Sequence, residues 1–296
     1  MTWRDIPPLK SRKNLEVERV INIPNREHPS EEDTDRIQKF NVSPEAYKEG
    51  FRLLPSQVEG LFAWEKYQRG FFSIAVGEGK TLTSILIASN YFEENPEARI
   101  ILFMPASVYR QLWVRDIPWA RRNCNVLVPF IALGQRPQKQ RLMLSKISKP
   151  GCYLFPYSLL STLDTIDLLN NINADLVIAD EAHYLKGSNS AKTKRFWNWV
   201  DNRKPSPIGV VMSGTLSSRT PLDYYKIIKW SLRDYNPLPN LKWLAEEWSL
   251  LLDSDAARPN NRQARLVRPL TEWAGTSNVR VKEIREAYRK RLYTCP

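Results

Sequence analysis

Histidine and cysteine are nearly missing from this chain, two and three residues respectively out of 296. The cysteines, Cys124, Cys152 and Cys295, lack metal-ligand spacing, so no zinc site is expected and a reducing compartment is. No apolar run approaches the roughly 18 residues that a membrane helix needs, and the opening MTWRDIPPLKSRK is too polar for a secretory signal. Internal repeats are lacking, and so is any strong strand pattern after Met212. What the chain does have is positive charge. It carries a net charge of +12 with pI about 9.6, and residues 190–296 hold twice as many Lys and Arg as Asp and Glu. That asymmetry suits a polyanion partner, most often nucleic acid; a solvated basic surface is the alternative. With 42% hydrophobic and 26% charged residues, the composition reads as soluble and globular, in one large domain or two smaller ones.

The stretch Phe71–Ile85, FFSIAVGEGKTLTSI, organises the rest. An apolar, strand-like run from Phe71 to Val76 ends in Gly77-Glu78-Gly79, and Lys80 and Thr81 open a helical pattern. Glycines let backbone N–H groups curl around phosphate oxygens, and a helix N-terminus adds its positive dipole end. Lys80 would reach β- and γ-phosphates, and the Thr81 hydroxyl would hold Mg²⁺. The full G-x-x-x-x-G-K-[ST] pattern wants glycine at position 74, where this chain has Ile74. The plainer alternative is a glycine turn with Lys80 as a solvated charge.

Upstream, Pro55 suits the first turn of a helix that contains Val58, Leu61 and Phe62. Gln57 sits at its start, and a carboxamide both donates and accepts, as the edge of adenine requires. Downstream, short apolar runs alternate with helical segments: Arg99–Met104, Asn125–Leu133, Gly151–Phe155, Ala174–Ala179 and Ile208–Met212. This alternation predicts βαβ units and a mainly parallel sheet. Ligands of such sheets bind at the carboxyl ends of the strands. The glycine loop, Asp180-Glu181 and Ser213-Gly214-Thr215 all follow predicted strands. A strand-end Asp180 is placed for Mg²⁺, Glu181 for orienting or deprotonating water, and His183 for sensing a γ-phosphate. An acidic helix N-terminus is the alternative for the Asp-Glu pair.

Residues 1–50 are charged and broken by prolines, and read as an extension with one strand, near Val17–Ile23, or a small helix. From about Pro221 the chain turns aromatic, basic and helical, with Trp230, Trp243 and Trp248 expected in the core. Val279–Leu292 could place Val281, Ile284 and Tyr288 on one apolar face. This basic segment could follow DNA phosphates, or pack on the preceding domain as a hinge.

Taken together the motifs resemble the first motor domain of superfamily 2 helicases and translocases, in the Swi/Snf-like branch with its annealing-helicase and phage relatives. Leu53–Gln57 is similar to the adenine-reading motif and Gly77–Thr81 to motif I. Pro105–Val108, with Gln111, Trp113, Asp116 and Trp119, is similar to motif Ia, and Pro156–Leu159 stands in the place of motif Ib. Asp180–Lys186, DEAHYLK, is similar to motif II, and Ser213–Thr215 to motif III. The resemblance implies an α/β RecA-like P-loop domain that uses ATP and Mg²⁺ and tracks along nucleic acid, usually duplex DNA. It gives Ser107 and Ser158 strand contacts, for which turn chemistry is the alternative, and gives Ser213, Gly214 and Thr215 the coupling of the two activities. Leu216 departs from the Pro usual after Gly-Thr.

The organisation expected is an N-terminal extension over 1–50, a RecA-like ATP-binding domain over 51–230 and a basic helical extension or hinge over 231–296. No QxxGRxxR-like string stands in the sequence, so motifs IV to VI, with the arginines that complete the site, are expected from a second RecA-like domain or a companion chain. The isolated chain is then a weak ATP hydrolase. The rivals are an ATP-regulated DNA-binding protein without productive turnover, and the motor part of a restriction or defence assembly; no nuclease motif is convincing. An intracellular location is expected, the cytoplasm of a bacterial or phage-infected host ahead of a nucleus, and no membrane partner.

Overall fold

The computed structural model describes residues 9–134, 136–186, 190–214 and 221–252. They belong to two compact units, His28–Leu216 and the pair of segments Met1–Glu27 with Ser217–Pro296.

The larger unit is built on a six-stranded, wholly parallel sheet: β1 (Gly70–Phe72), β2 (Arg99–Met104), β3 (Phe130–Ala132), β4 (Gly151–Pro156), β5 (Leu176–Ala179) and β6 (Ile208–Met212), in the order β1-β6-β5-β2-β4-β3. Parallel strands are covered on both faces and so read as continuous apolar runs. Every residue of β4 and β5 is buried, as is all of β2 except Arg99. The α/β architecture with a parallel sheet expected from the alternating pattern is therefore the one adopted, and it is the RecA-like one that the family resemblance implies.

Two strands are shorter than their apolar runs. The run from Phe71 to Val76 pairs only as far as Phe72, because its partner β6 ends opposite it at Met212. The run from Asn125 to Leu133 pairs only over Phe130–Ala132, at the sheet edge. Pro129 stands just before it and has no N–H for a ladder, although its carbonyl accepts from the Cys152 amide at 2.8 Å.

Register aligns the carboxyl ends. Phe72 pairs with Met212, Val211 with Ala179, and Ala179 with Phe103. The residues that follow these positions, Ser73, Ser213 and Asp180, thus leave neighbouring strands at one edge. The Asp180 amide still donates to the Phe103 carbonyl and the Ser213 amide to that of Phe72, which prolongs the ladders one residue into the loops.

Helices α2 (Glu31–Asn41), α3 (Pro44–Lys48) and α4 (Pro55–Tyr67) precede the sheet. Ser30 and Asp33 form a capping box on α2, Ser43 caps α3, and Pro44 and Pro55 occupy first turns, where a missing N–H leaves nothing unmet. The first fifty residues were expected to hold one strand or a small helix. The described ones, from Leu9 on, hold three helices, α1 (Leu9–Ile21) included, and Val17–Ile21 lies within α1. Ile37, Val42 and Ala46 join the core of the larger unit. Buried amides secure this docking. Gln38 donates to the Leu53 carbonyl at 2.9 Å and accepts from the Leu53 amide at 2.8 Å, and Asn90 donates to the Asn41 side chain.

In the smaller unit, α1 and the helices Tyr225–Leu232 and Lys242–Leu252 surround a separate core of Val20, Ile23, Tyr225, Leu238, Leu244, Ala245 and Trp248. Arg19 crosses to the carbonyls of Asp234, Asn236 and Leu238, each at 2.8 Å. Trp230 and Trp248 are buried as expected, whereas Trp243 is 37% exposed. The Val279–Leu292 segment lies outside the described residues.

Gln38→Leu should lower stability by about 2–3 kcal/mol in urea unfolding, since it strips a donor and an acceptor from a buried backbone residue. A loss within about 0.5 kcal/mol, the range of surface changes, would show that Leu53 needs no such partner.

Candidate functional site

The loop after β1 curls because Gly77 and Gly79 take positive φ, +89° and +75°. Gly79 is the N-cap of α5 (Lys80–Glu94). Helix α4 packs on α5 with Gly60 at the contact, where a Cβ would stand 3.3 Å from the Thr83 methyl. This close approach carries Gln57 to the loop. Gln57 is buried, donates to the Gly79 carbonyl at 3.2 Å and accepts from the Leu54 amide at 2.8 Å. Both ends of the carboxamide assigned to adenine are thus engaged with backbone groups.

Lys80 is 7% exposed. Its Nζ donates to the carbonyls of Ile74 and Ala75, both at 3.3 Å, and lies 3.4 Å from Glu181 Oε1. The other oxygen of Glu181 is 3.3 Å from His183 Nδ1. Thr81, next on α5, is half-buried. The loop after β6 closes the group: a Cβ on Gly214 would stand 3.2 Å from Lys80 Nζ. Lys80, Glu181, His183 and Gly214 thus converge from three strand ends, with Gln57 reaching the same loop from α4.

Asp180 and Glu181 are adjacent in sequence but differ in surroundings. Burial pushes the Asp180 carboxyl up to about 6; the neighbouring Glu181 adds to the rise and Lys80 opposes it. Asp180 Oδ1 is buried and meets no hydrogen-bond donor. Glu181 has left-handed backbone, φ +53° and ψ +53°, which costs a residue with a Cβ about 1–2 kcal/mol. The carbonyl of Asp180 accepts from the Tyr157 hydroxyl at 2.9 Å, and Tyr157 is itself stacked between Phe103 and Tyr184.

The orphaned Asp180 oxygen tests whether the site suits a magnesium nucleotide. Mg²⁺ takes one or two carboxylates and leaves its other positions to water and phosphates, so a single free carboxylate oxygen opposite a glycine loop fits it. Among the described residues no group of three or more His, Cys, Asp or Glu forms a metal cage, and none is required for this mode. The loop geometry, the start of α5 and the Lys80 ammonium suit phosphates.

Ser107 is exposed in the first turn of α6 (Ala106–Gln111), and Ser158 is exposed in the 3₁₀ turn Tyr157–Ser161. Both follow neighbouring strand ends, since Met104 pairs with Pro156. Ser213 is fully buried and Gly214 partly so, while Thr215 lies outside the described residues. Helix α6 continues into a π-helical turn, Leu112–Asp116, and then α7 (Ile117–Asn123). Pro118, in the first turn of α7, has no N–H to continue the preceding α-helical bonds. Sequence reasoning gave no role to the Tyr157 hydroxyl or to the loop carbonyls that hold Lys80. Tyr157 stood within a quoted motif, but a hydroxyl aimed at a backbone carbonyl leaves no pattern in sequence.

Residues 45–218 match the family described as "Type III restriction enzyme, res subunit". The chain is 30% identical over 186 residues to the DNA annealing helicase and endonuclease ZRANB3 of Bos taurus, a match covering 60% of this chain and 16% of that protein. It is 32% identical over 165 residues to chromodomain-helicase-DNA-binding protein 8 of Danio rerio, covering 51% of this chain and 6% of that one. The chain thus spans less than a fifth of these relatives. A Sulfolobus solfataricus SWI2/SNF2 ATPase core, solved in complex with double-stranded DNA, shares the fold at a TM-score of 0.51 and 17% identity, over 75% of this chain and 44% of that one. The fold and the strand-end constellation are those of a superfamily 2 motor domain. The chain belongs to the family of the matched residues, and within superfamily 2 it is a Swi/Snf-like N-terminal motor domain.

Gly77→Ala and Gly79→Ala separate the two demands on the loop. Each introduces a Cβ at positive φ, at about 1–2 kcal/mol. Only at Gly79 does that Cβ meet anything, Gln57 Nε2 at 2.1 Å, against open space at Gly77. Thermal unfolding should show the larger loss for Gly79→Ala; equal losses would mean that Gln57 is free to leave the loop.

Proposed function

We propose that this chain binds ATP with Mg²⁺ and a nucleic acid, duplex DNA foremost, and serves as the first half of an ATP-driven DNA translocase or helicase motor. The observation that carries the reading is that Lys80, at the end of the glycine loop, is paired with Glu181 while the adjacent Asp180 keeps a buried carboxylate oxygen without a partner. In this reading the amides of Gly77–Thr81 and the Lys80 ammonium receive the phosphates. Lys80 gives up its carbonyl partners to do so. Gln57 exchanges its backbone bonds for the adenine edge. Asp180 Oδ1 and the Thr81 hydroxyl hold the magnesium, which when bound neutralises charge on the phosphate oxygens. Glu181 orients the attacking water and takes its proton, and His183, in contact with the same carboxylate, follows the state of the γ-phosphate. Ser107 and Ser158 meet the nucleic-acid backbone, as short hydroxyl donors commonly do. Ser213, Gly214 and Thr215 link the two activities.

Arginines that complete such sites contribute about 10³–10⁵ in rate. We assign them to a second RecA-like domain or a companion chain, so the 296-residue chain by itself turns over slowly. The relatives' names include helicases and a DNA-binding protein, which supports duplex DNA as the track.

Glu181→Gln is the test. It should leave the affinity for a fluorescent ATP analogue with magnesium within about twofold and lower turnover by about 10²–10⁴-fold, the range of a lost general base. Turnover equal to wild type would remove Glu181 from the chemistry. Nucleotide binding without any turnover in the wild type, with DNA and the completing domain present, would favour the ATP-regulated binding protein.

A further inference from the structure

We infer that Tyr157 is a positioning residue for Glu181, acting through the peptide bond between Asp180 and Glu181. Its hydroxyl is buried and donates to the Asp180 carbonyl at 2.9 Å. That carbonyl shares a rigid plane with the Glu181 N–H, and the chain is anchored on both sides, by the Asp180 amide on the Phe103 carbonyl and the Tyr184 amide on the Glu181 carbonyl, so holding the carbonyl opposes the peptide flip that would change the ψ of Asp180 and the φ of Glu181 together. That φ is +53°, left-handed for a residue with a Cβ. From this backbone the Glu181 carboxylate reaches Lys80 at 3.4 Å and His183 at 3.3 Å. An ordinary right-handed backbone at this position would send the side chain elsewhere.

The donor itself has little freedom. Tyr157 is 2% exposed. Its ring stacks on Phe103 of β2 at 5.6 Å with 16° between planes, and on Tyr184 at 5.1 Å with 5°. Tyr184 in turn lies 4.7 Å from the His183 ring. A hydroxyl held on both ring faces and shielded from water has one partner within reach, and losing it leaves that carbonyl buried without this donor. Tyr157 also begins the turn on which Ser158 is exposed. The group that orients Glu181 is therefore one residue from a position assigned to the nucleic-acid backbone.

The catalytic consequence rests on the function proposed above; the structural one does not. Tyr157→Phe keeps the stack and removes only the hydroxyl. Crystal structures of wild type and Tyr157→Phe, both without nucleotide, should show Glu181 leaving positive φ in the variant and its 3.4 Å approach to Lys80 lost. In kinetics with magnesium, ATP and duplex DNA, kcat should fall at least ~10-fold, as misplacement of a reacting group does, with KM within about twofold. The same substitution in a Glu181→Gln background should change the residual kcat by less than about twofold, because residues acting as a unit are not additive. Glu181 retained at positive φ beside Lys80 in the variant, or an equal loss in both backgrounds, would overturn the inference. A wild type without magnesium-dependent turnover when DNA and the completing domain are present would overturn the proposed function alone, and the pair of crystal structures would still decide the role of Tyr157.

Discussion

An ammonium group taken out of water must be met by carboxylate or carbonyl oxygen. Lys80, at 7% exposure, is met by two carbonyls from the loop after β1 and by Glu181 after β5. The loop after β6 presses on the same nitrogen with a glycine, since a Cβ there would stand 3.2 Å away. These partners can assemble only if β1, β6 and β5 are neighbours with aligned ends, and that is the observed order and register. The buried charge and the sheet topology thus depend on each other. The sheet brings the oxygens together, and the need to satisfy Lys80 limits how far the strands and loops can shift.

The two acidic residues beside this lysine are separated by environment. Glu181 is engaged with Lys80 and His183, while Asp180 is buried, raised towards neutrality and leaves one oxygen without a donor. Groups of one chemical type take different roles when their burial and partners differ. Here the engaged carboxylate suits the handling of a water and the orphaned one suits a cation. The two carboxylates flank a single peptide bond, whose carbonyl accepts from the Tyr157 hydroxyl.

Much of this was legible in the amino-acid sequence, for a physical reason. Buried parallel strands must be apolar along their whole length, so β2, β4, β5 and β6 stood out as runs, and what followed each run marked the ligand-binding edge. Gly77 and Gly79 were visible because only glycine takes those φ values without strain. Strand ends were less legible. Phe71–Val76 is apolar but for Ser73, yet β1 stops at Phe72, where β6 ends opposite it at Met212, a limit set by a partner 140 residues away. The N-terminal helices were obscured because their stability comes from docking: Gln38, Asn41 and Asn90 look like surface residues, and only the fold shows their amides paired and buried. Glu181 gave no sign of its left-handed backbone, since the hydrogen bond that holds the preceding carbonyl comes from a tyrosine 24 residues earlier.

In the function proposed above, the aligned strand ends form one magnesium-nucleotide site and the Asp180 oxygen receives the metal. Calorimetric titration of ADP with and without magnesium, on wild type and Asp180→Asn, tests it most directly. Magnesium should tighten binding to the wild type at least ~10-fold, as a charge bridged between carboxylate and phosphate does. In Asp180→Asn that enhancement should largely vanish while metal-free affinity is kept. An unchanged enhancement in the variant, or no nucleotide binding by the wild type, would contradict it.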